Sequence, residues 1–260
     1  MTREMHKMTE RVVIITGGAQ GIGYELAQKF YTAGDKVVLV DLHEEVAAAA
    51  KKLGERAIGI VCDVTNEEKI KDMVAQVMSE FERIDVLINN AGLQHVAMIE
   101  EFPTEKFQLL IDVMLVAPFV MTKHVLPHMK KQQSGRILNM SSINGVIGFA
   151  GKAAYNSAKH GVIGFTKVAA LETAAHGITV NAICPGYADT ELVRNQFDDL
   201  AKTRGISREA VLEDVLYPLI PQKRLIDLSE IADTAFFLAS DSAKGMTGQA
   251  IIIDGGYTAQ

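Results

Sequence analysis

Short apolar runs alternate along this chain with longer segments in which apolar residues recur every three or four positions. Short runs rich in Val and Ile are typical of buried strands, and the three-to-four spacing is typical of helices with one buried face. Strands are predicted at residues 11–16, 36–41, 57–62, 85–88, 136–140, 178–183 and 250–253. A helix opens within residues 17–23 and runs through 30, and further helical patterns cover 44–53, 67–81, 104–131, 153–175 and 230–238.

This alternation of strands and helices predicts an α/β fold, a parallel sheet with helices on both faces. No internal repeat or interdomain linker interrupts residues 1–260, so we expect a single domain. Pro118 should start or kink a segment of the helical stretch in which it lies. The alternation stops over residues 187–228, which are charged with scattered apolar positions. A loop this long inside a compact domain is usually functional, and we interpret it as a substrate lid.

Composition narrows the class of protein. The 260 residues are 48% hydrophobic and 22% charged, as in soluble globular proteins. The net charge of −6 argues against a nucleic-acid surface, and no uninterrupted apolar run approaches the roughly 18 residues of a membrane span. The first ten residues are polar and lack the apolar stretch of a signal peptide. We therefore expect a cytoplasmic protein without membrane or nucleic-acid partners, in which Cys62 and Cys184 stay reduced and no metal is bound.

A glycine cluster at residues 17–23 follows the first predicted strand and opens the first helix. A glycine pattern alone is common, but this one lies within a strand–helix–strand unit, the context that dinucleotide sites require. Glycines let the backbone approach a pyrophosphate closely, and a helix N-terminus favours its negative charge. The cluster therefore predicts a dinucleotide cofactor.

Two carboxylates end the next two strands. Asp41, about 20 residues after the motif, can accept both ribose hydroxyls and would repel the 2′-phosphate of NADP, so we predict NAD. The alternative for Asp41 is a solvated turn residue. Asp63 can accept a hydrogen bond from the adenine amino group, or serve as a helix-capping residue before Asn66.

A possible acid/base pair lies in the helical segment 153–175. Tyr155 and Lys159 are four residues apart and therefore share one helix face. A nearby ammonium favours the phenolate, so Lys159 is expected to lower the pKa of Tyr155 and make it a general acid/base near neutral pH. Ser142 closes the fifth strand, where side chains face the ligand crevice of an α/β sheet, and can hold a substrate oxygen. Each residue could also be ordinary, since such Tyr–Lys pairs arise by chance and Ser is a common turn residue.

Taken together, the motifs resemble those of the short-chain dehydrogenase/reductase family. They are Thr16-Gly17-x-x-x-Gly21-Ile22-Gly23, Asn89-Asn90-Ala91-Gly92, Ser142, Tyr155-x-x-x-Lys159 and Pro185-Gly186, in that order over nearly the whole chain. The resemblance implies a Rossmann-type, doubly wound sheet of seven strands and hydride transfer to or from a nicotinamide. Tyr155 would be the acid/base, Ser142 would orient the substrate oxygen, and Lys159 would hold the nicotinamide ribose.

The resemblance also implies a homotetramer and a set of cofactor contacts. Besides Tyr155 and Lys159, these are Thr16, Gly17, Gln20, Gly21, Ile22, Gly23, Asp41, Asp63, Val64, Asn90, Pro185, Gly186 and Thr190.

Within this family the chain resembles the bacterial 3-hydroxybutyrate dehydrogenases, which oxidise (R)-3-hydroxybutyrate reversibly to acetoacetate with NAD. The resemblance is carried by the segments 90–95, 99–106, 126–131, 158–161 and 182–186. It implies substrate contacts from Gln94, Ser142, Asn144, Lys152, Tyr155 and Gln196. Lys152 lies three residues before Tyr155, in the first turn of the same predicted helix, and would supply a cation for a carboxylate. Its alternative role is that of a solvated lysine at a helix start.

The sequence departs from these relatives at two positions. Met114 stands where the family usually has an Asn that supports a water relay to the catalytic Lys, and Asn144 stands where some 3-hydroxybutyrate dehydrogenases have a His. Other hypotheses therefore stay open. One is a family member acting on a neutral polyol, a sugar or another hydroxy acid, and the other is a catalytically weak NAD-binding regulator or scaffold, which only Met114 favours.

Overall fold

The computed structural model describes residues 10–190, 193, 194, 197 and 205–259. Its centre is a seven-stranded sheet in the order β3-β2-β1-β4-β5-β6-β7, and all neighbouring strands are parallel. The strands are β1 Val12–Thr16, β2 Lys36–Asp41, β3 Ala57–Val61, β4 Val86–Asn89, β5 Gly135–Met140, β6 Ile178–Pro185 and β7 Ala250–Ile253. The predicted seven-stranded, doubly wound sheet is thus confirmed.

Helices cover both faces of the sheet, because each buries one apolar stripe against it. They are α1 Gly21–Thr32, α2 Glu45–Leu53, α3 Glu67–Phe81, α4 Thr104–Ile111, α5 Ala117–Gln132, α6 Ala153–Thr173 and α7 Leu228–Leu238. One core layer lies between the sheet and α3, α5 and α6. The other lies between the sheet and α1, α2 and α7.

The sixth strand is longer than the sequence predicts. It continues through Pro185, because Cys184 and Pro185 pair with Ile252 and Ile253 of β7. The bond from Gly186 N to the Ile253 carbonyl, 2.8 Å, extends this pairing to the start of the lid.

The helical stretch predicted over 104–131 is interrupted by a π-helical turn, Asp112–Val116, between α4 and α5. Pro118 lies in the first turn of α5, as the sequence predicts. Within Thr104–Gln132, an 18-residue window has a mean hydropathy of 1.8, which by length and composition alone would suffice for a membrane span, and 44% of that window is buried in the domain. Much of its hydropathy therefore comes from core residues.

The predicted lid contains helical turns rather than loop alone. Among the described residues it includes the short helix Arg208–Ala210, a π-helical turn Val211–Leu216 and the 3-10 turn Tyr217–Leu219. The sequence does not predict these turns, because the apolar residues of the lid do not recur at a regular helical spacing. Its two ends are joined, since Ala188 and Ile226 form an isolated parallel bridge.

Candidate active site

The loop between β1 and α1 brings bare backbone to the carboxyl edge of the sheet. Gly17 and Gly21 have φ of +63° and +55°, conformations that favour glycine. A Cβ at Gly23 would lie 2.0 Å from the Gly17 carbonyl oxygen, so no side chain fits there. No described atom lies within 4 Å of a Cβ built on Gly21, and α1 has no acidic residue in its first turn. The space and the helix dipole fit a pyrophosphate.

Thr16 and Asn90 bind the ends of β1 and β4 together. The Thr16 hydroxyl oxygen accepts hydrogen bonds from the backbone N–H groups of Asn90 and Ala91, at 3.0 and 3.1 Å. The Asn90 amide donates to the carbonyls of Thr16 and Gly17, at 3.0 and 3.2 Å. Asn90 therefore supports the glycine loop from the neighbouring strand, at the point where the strand order changes direction and ligands bind in such sheets.

The two strand-end carboxylates have different surroundings. Asp41 accepts from the backbone N–H groups of Ala19 and His43, at 3.1 and 3.3 Å, so it lies beside the glycine loop. Asp63 accepts from both the N–H and the hydroxyl of Thr65, at 2.9 and 2.7 Å, and these bonds lower the pKa of its carboxyl group. This favours a local turn role for Asp63. The cap of α3 is Asn66, whose side chain accepts from Lys69 N at 3.1 Å.

Ser142, Tyr155 and Lys159 meet where β5 ends against α6. The Ser142 hydroxyl oxygen accepts from Asn144 N at 3.1 Å, and the hydroxyl donates to the Pro185 carbonyl at 3.5 Å. Lys159 lies 4% exposed, its Nζ 5.5 Å from the centroid of the Tyr155 ring. That Nζ donates to the Met140 carbonyl at 2.6 Å. The arrangement can hold a substrate oxygen between a serine hydroxyl and a phenol, with an ammonium beside the ring.

The expected depression of the Tyr155 pKa is wrong for this arrangement. Burial raises the pKa of Tyr155, and the hydrogen bond with Ser142 opposes the rise. Burial also lowers the pKa of Lys159 to about 8, against a smaller raising effect of Cys184. The physical reason is that both groups are deeply buried, so desolvation outweighs the pair interaction that helix spacing suggests. Protonated Tyr155 is the form suited to donating a proton to a carbonyl oxygen.

A cavity of about 80 Å³ opens beside this group. Its lining includes the predicted substrate residues Gln94, Ser142, Asn144, Lys152 and Tyr155. Burial lowers the pKa of the Lys152 ammonium, whose Nζ lies 5.4 Å from the Phe149 ring centroid. The Gln94 side-chain oxygen is buried without a hydrogen-bond partner in the described part of the chain. The cavity therefore combines a partly desolvated cation with an unsatisfied amide.

The two departures from the resembling sequences both lie near this site. Met114 is 1% exposed, lies within the π-helical turn and packs in an apolar cluster with Leu110, Ala154 and Ala158, against which Tyr155 also packs. Asn144 is buried, and its amide approaches the Asn156 side-chain oxygen at 3.5 Å.

Lys152 differs slightly from its predicted place. It is the N-cap residue of α6, just before the first turn rather than within it. Ala97 N donates to the Gly151 carbonyl at 3.0 Å. This hydrogen bond joins the segment that carries Gln94 to the segment that carries Lys152.

The remaining predicted cofactor positions follow the same edge of the sheet. Gln20 is the N-cap residue of α1, with Ile22 behind it, and Val64 is buried after β3. Pro185 ends β6, and the Thr190 hydroxyl oxygen accepts from Val193 N at 3.2 Å. Gln196 lies outside the described residues.

Sequence reasoning missed several residues of the site. Ile143, Tyr187 and Val193 line the cavity, although only their neighbours were singled out. Tyr187 directly follows Pro185-Gly186, so its proximity to that motif was an available signal. Cys184 is fully buried near Lys159, and no sequence signal distinguished it from any core thiol.

A parallel sheet with a glycine loop at its switch point and a Ser–Tyr–Lys group beside it defines a dinucleotide-dependent oxidoreductase. The sequence profile described as short chain dehydrogenase matches residues 11–201. An uncharacterised oxidoreductase of Bacillus subtilis, YxjF, is 59% identical over 257 residues, covering 97% of this chain and 100% of that one. The chain belongs to the short-chain dehydrogenase family, whose members use nicotinamide cofactors.

Two further proteins are similar to this chain over nearly its whole length. A D-beta-hydroxybutyrate dehydrogenase of Rhizobium meliloti is 40% identical over 256 residues, covering 96% of this chain and 99% of the relative. The crystal structure of levodione reductase superposes with a TM-score of 0.90 at 34% identity, covering 96% of this chain and 98% of that one.

Proposed function

We propose that the protein is an NAD-dependent dehydrogenase that oxidises (R)-3-hydroxybutyrate reversibly to acetoacetate. The observation that carries this proposal is Lys152, a partly desolvated cation in the same small cavity as Ser142 and Tyr155. A carboxylate one short spacer from the reacting carbon would oppose the effect of burial on the Lys152 pKa, since an opposite charge favours the ionised form. Gln94 lines the same cavity, and its side-chain amide nitrogen can donate a hydrogen bond to a carboxylate.

The residues divide the work between binding and proton transfer. Ser142 and Tyr155 would hold the substrate hydroxyl, while Lys152 and Gln94 hold the carboxylate. A nicotinamide bound at the glycine loop would supply the acceptor for the hydride of the substrate carbon. Tyr155 takes the hydroxyl proton in its phenolate form, which burial disfavours and a higher pH favours, and this leaves a ketone and a neutral phenol. In the reverse direction the phenol donates this proton to the carbonyl oxygen.

The proposed coenzyme is NAD, because Asp41 lies beside the glycine loop where the adenosine ribose would bind. A second negative charge from a 2′-phosphate would meet this carboxylate at close range. We expect kcat/KM for NAD to exceed that for NADP by about 100-fold or more, and Asp41→Ala to narrow the ratio. Steady-state kinetics with both coenzymes measure this. Equal use of the two by the wild-type protein would refute the assignment.

The substrate assignment is tested with 3-hydroxybutyrate and its methyl ester. The wild type should oxidise the acid and use the ester poorly, because the ester removes the charge that Lys152 binds. Lys152→Ala should raise KM for the acid about 10- to 100-fold with a smaller effect on kcat, as expected for lost ground-state binding through a charged hydrogen bond. NADH absorbance follows each reaction.

The matched control is Lys167→Ala, which removes an exposed lysine from the same helix and should leave KM unchanged. Tyr155→Phe should abolish turnover while NADH still binds, because only the acid/base hydroxyl is lost. Oxidation of the ester as efficient as that of the acid, or wild-type kinetics in Lys152→Ala, would sink the proposed substrate.

A further inference from the structure

Two buried polar side chains, Asn139 of β5 and Ser141 just beyond its end, face α6. Alternate residues of a strand point to the same face, so Asn139 and Ser141 lie on the face of the core residue Ile137. Asn139 is 0% exposed and Ser141 is 3% exposed. Neither lines the substrate cavity, so the mechanism leaves both without a role.

Asn139 is the centre of a hydrogen-bonded chain through three elements. Its side-chain oxygen accepts from the Asn89 amide of β4 at 2.8 Å, and its own amide donates to the Thr166 hydroxyl of α6 at 2.9 Å. The Thr166 hydroxyl donates in turn to the Val162 carbonyl at 2.8 Å. Each of the three elements carries part of the site, since Asn90 follows Asn89, Ser142 follows β5, and α6 holds Tyr155 and Lys159.

A second link lies about two helical turns closer to the site, because Lys159 precedes Thr166 by seven residues. The Ser141 hydroxyl donates to the backbone carbonyl of Lys159 at 2.9 Å. A Cβ on Gly145 would lie 2.4 Å from that hydroxyl oxygen and 2.6 Å from that carbonyl oxygen, so the region is closely packed. The helix and the strand are therefore joined by side-chain hydrogen bonds at two levels, near Lys159 and near Thr166.

We propose that Asn139, acting through Thr166, is a positioning residue that sets the register of α6 against β5, and hence the placement of Tyr155 and Lys159 against Ser142. Aliphatic packing is non-directional and tolerates small shifts of a helix on a sheet. A buried amide has fixed donor and acceptor directions, and leaving it unpaired is costly. Displacements of about 1 Å from a distant substitution can lower turnover strongly.

The test compares two threonines of α6. Thr166 and Thr173 are both buried, and each donates to the carbonyl four residues earlier, at 2.8 and 2.7 Å. Within the described residues, only Thr166 also accepts a hydrogen bond from another element. Thr166→Val and Thr173→Val are therefore isosteric changes that remove the same local bond, and only the first leaves the Asn139 amide N–H without its acceptor. Thr166→Ser keeps the hydroxyl and should therefore retain the activity of the wild type.

Thr166→Val should lower kcat about 10- to 100-fold while KM for NAD stays near the wild-type value, because the loss lies in the alignment of the acid/base. It should also shift the pH profile of kcat, since the contact of Tyr155 with Ser142 changes. Thr173→Val and Thr166→Ser should stay within about 3-fold of wild type. Wild-type kcat and pH profile in Thr166→Val would overturn the proposal, as would an equal loss in Thr173→Val.

This inference rests on the proposed acid/base role of Tyr155 and not on the substrate, so the two can fail separately. If the wild-type protein does not oxidise 3-hydroxybutyrate, hydrogen–deuterium exchange of the free protein tests the positioning role instead. Amides of residues 153–166 should then exchange faster in Thr166→Val than in Thr173→Val. Equal exchange in the two variants would overturn the positioning role without reference to any substrate.

Discussion

Among single residues, Lys159 has an environment that costs the folded protein stability. Its side chain is buried, and burial lowers its pKa from 10.5 to about 8. Between these two pH values the unfolded chain holds more protons than the folded one, so stability rises as pH increases through the window. Below about pH 8 the charged form is buried at a cost on the order of 3 kcal/mol.

Lys159→Met should therefore abolish turnover without loss of stability. At pH 7 its free energy of unfolding should equal or exceed that of the wild type by about 1–3 kcal/mol, because a buried charge is removed. Between pH 8 and 10 the free energy of unfolding of the wild type should rise relative to that of Lys159→Met. Urea unfolding at several pH values measures both, with exposed Lys167→Met as the control. If the free energy of unfolding depends on pH in Lys159→Met as it does in the wild type, the lowered pKa of Lys159 is contradicted.

At the scale of elements, the π-helical turn between α4 and α5 packs beside the acid/base residue Tyr155. It spans Asp112–Val116 and turns Met114 into the apolar cluster against which Tyr155 packs. Isolated π-helical turns are frequent at functional sites. The side chain that fills this turn here is apolar, so proton exit from Lys159 would use backbone carbonyls and water, which bridge nearly as well as direct hydrogen bonds.

Met114→Asn should therefore leave kcat near the wild-type value and lower stability. The amide would enter an apolar cluster, at a cost of about 1–3 kcal/mol. Leu110→Asn is the matched control, because Leu110 is buried in the same cluster on α4. Thermal unfolding and steady-state kinetics measure the two effects. A gain in kcat of about 100-fold would show that the natural protein has an impaired relay and would favour the regulator hypothesis.

At the scale of the whole molecule, the exposed apolar side chains of the described residues include two groups on the outer helices and the sheet edge. One is shared by α5 and α6, where Phe119 packs edge-to-face on Phe165 at 6.0 Å and Leu171 is 84% exposed. The other includes Phe237 of α7 and Ile252 of β7, the last strand of the sheet. Exposed apolar patches and sheet edges mark association surfaces. We propose that the two surfaces build a homotetramer.

Leu171→Lys should reduce the assembly to a dimer, because a charge would be buried in one of the two interfaces. Light scattering at micromolar concentration gives the mass. Ile99→Lys is the control, since Ile99 is 80% exposed and lies outside both surfaces. A monomeric wild-type protein, or a tetrameric Leu171→Lys variant, would refute this arrangement.

The pattern of apolar runs predicted the sheet well because buried parallel strands must be continuously apolar. The same pattern predicted the strand ends less accurately. For example, β6 extends through Pro185 because β7, about 65 residues later, supplies the pairing. Periodicity also missed the turns of the lid, whose apolar residues pack on one another and on Tyr187 and Tyr257 rather than on the sheet.

The sequence by itself determined the seven-stranded doubly wound fold and the family, because both depend on local periodicity and on motifs whose order is visible along the chain. Only the tertiary structure brought Gln94, Lys152 and Ser142 to one cavity, and only it decided that burial governs the pKa values of Tyr155 and Lys159. The link from Asn139 to Asn89 and Thr166 joins residues 50 and 27 positions apart. Contacts and burial of this kind arise from packing between distant segments, which no local pattern encodes.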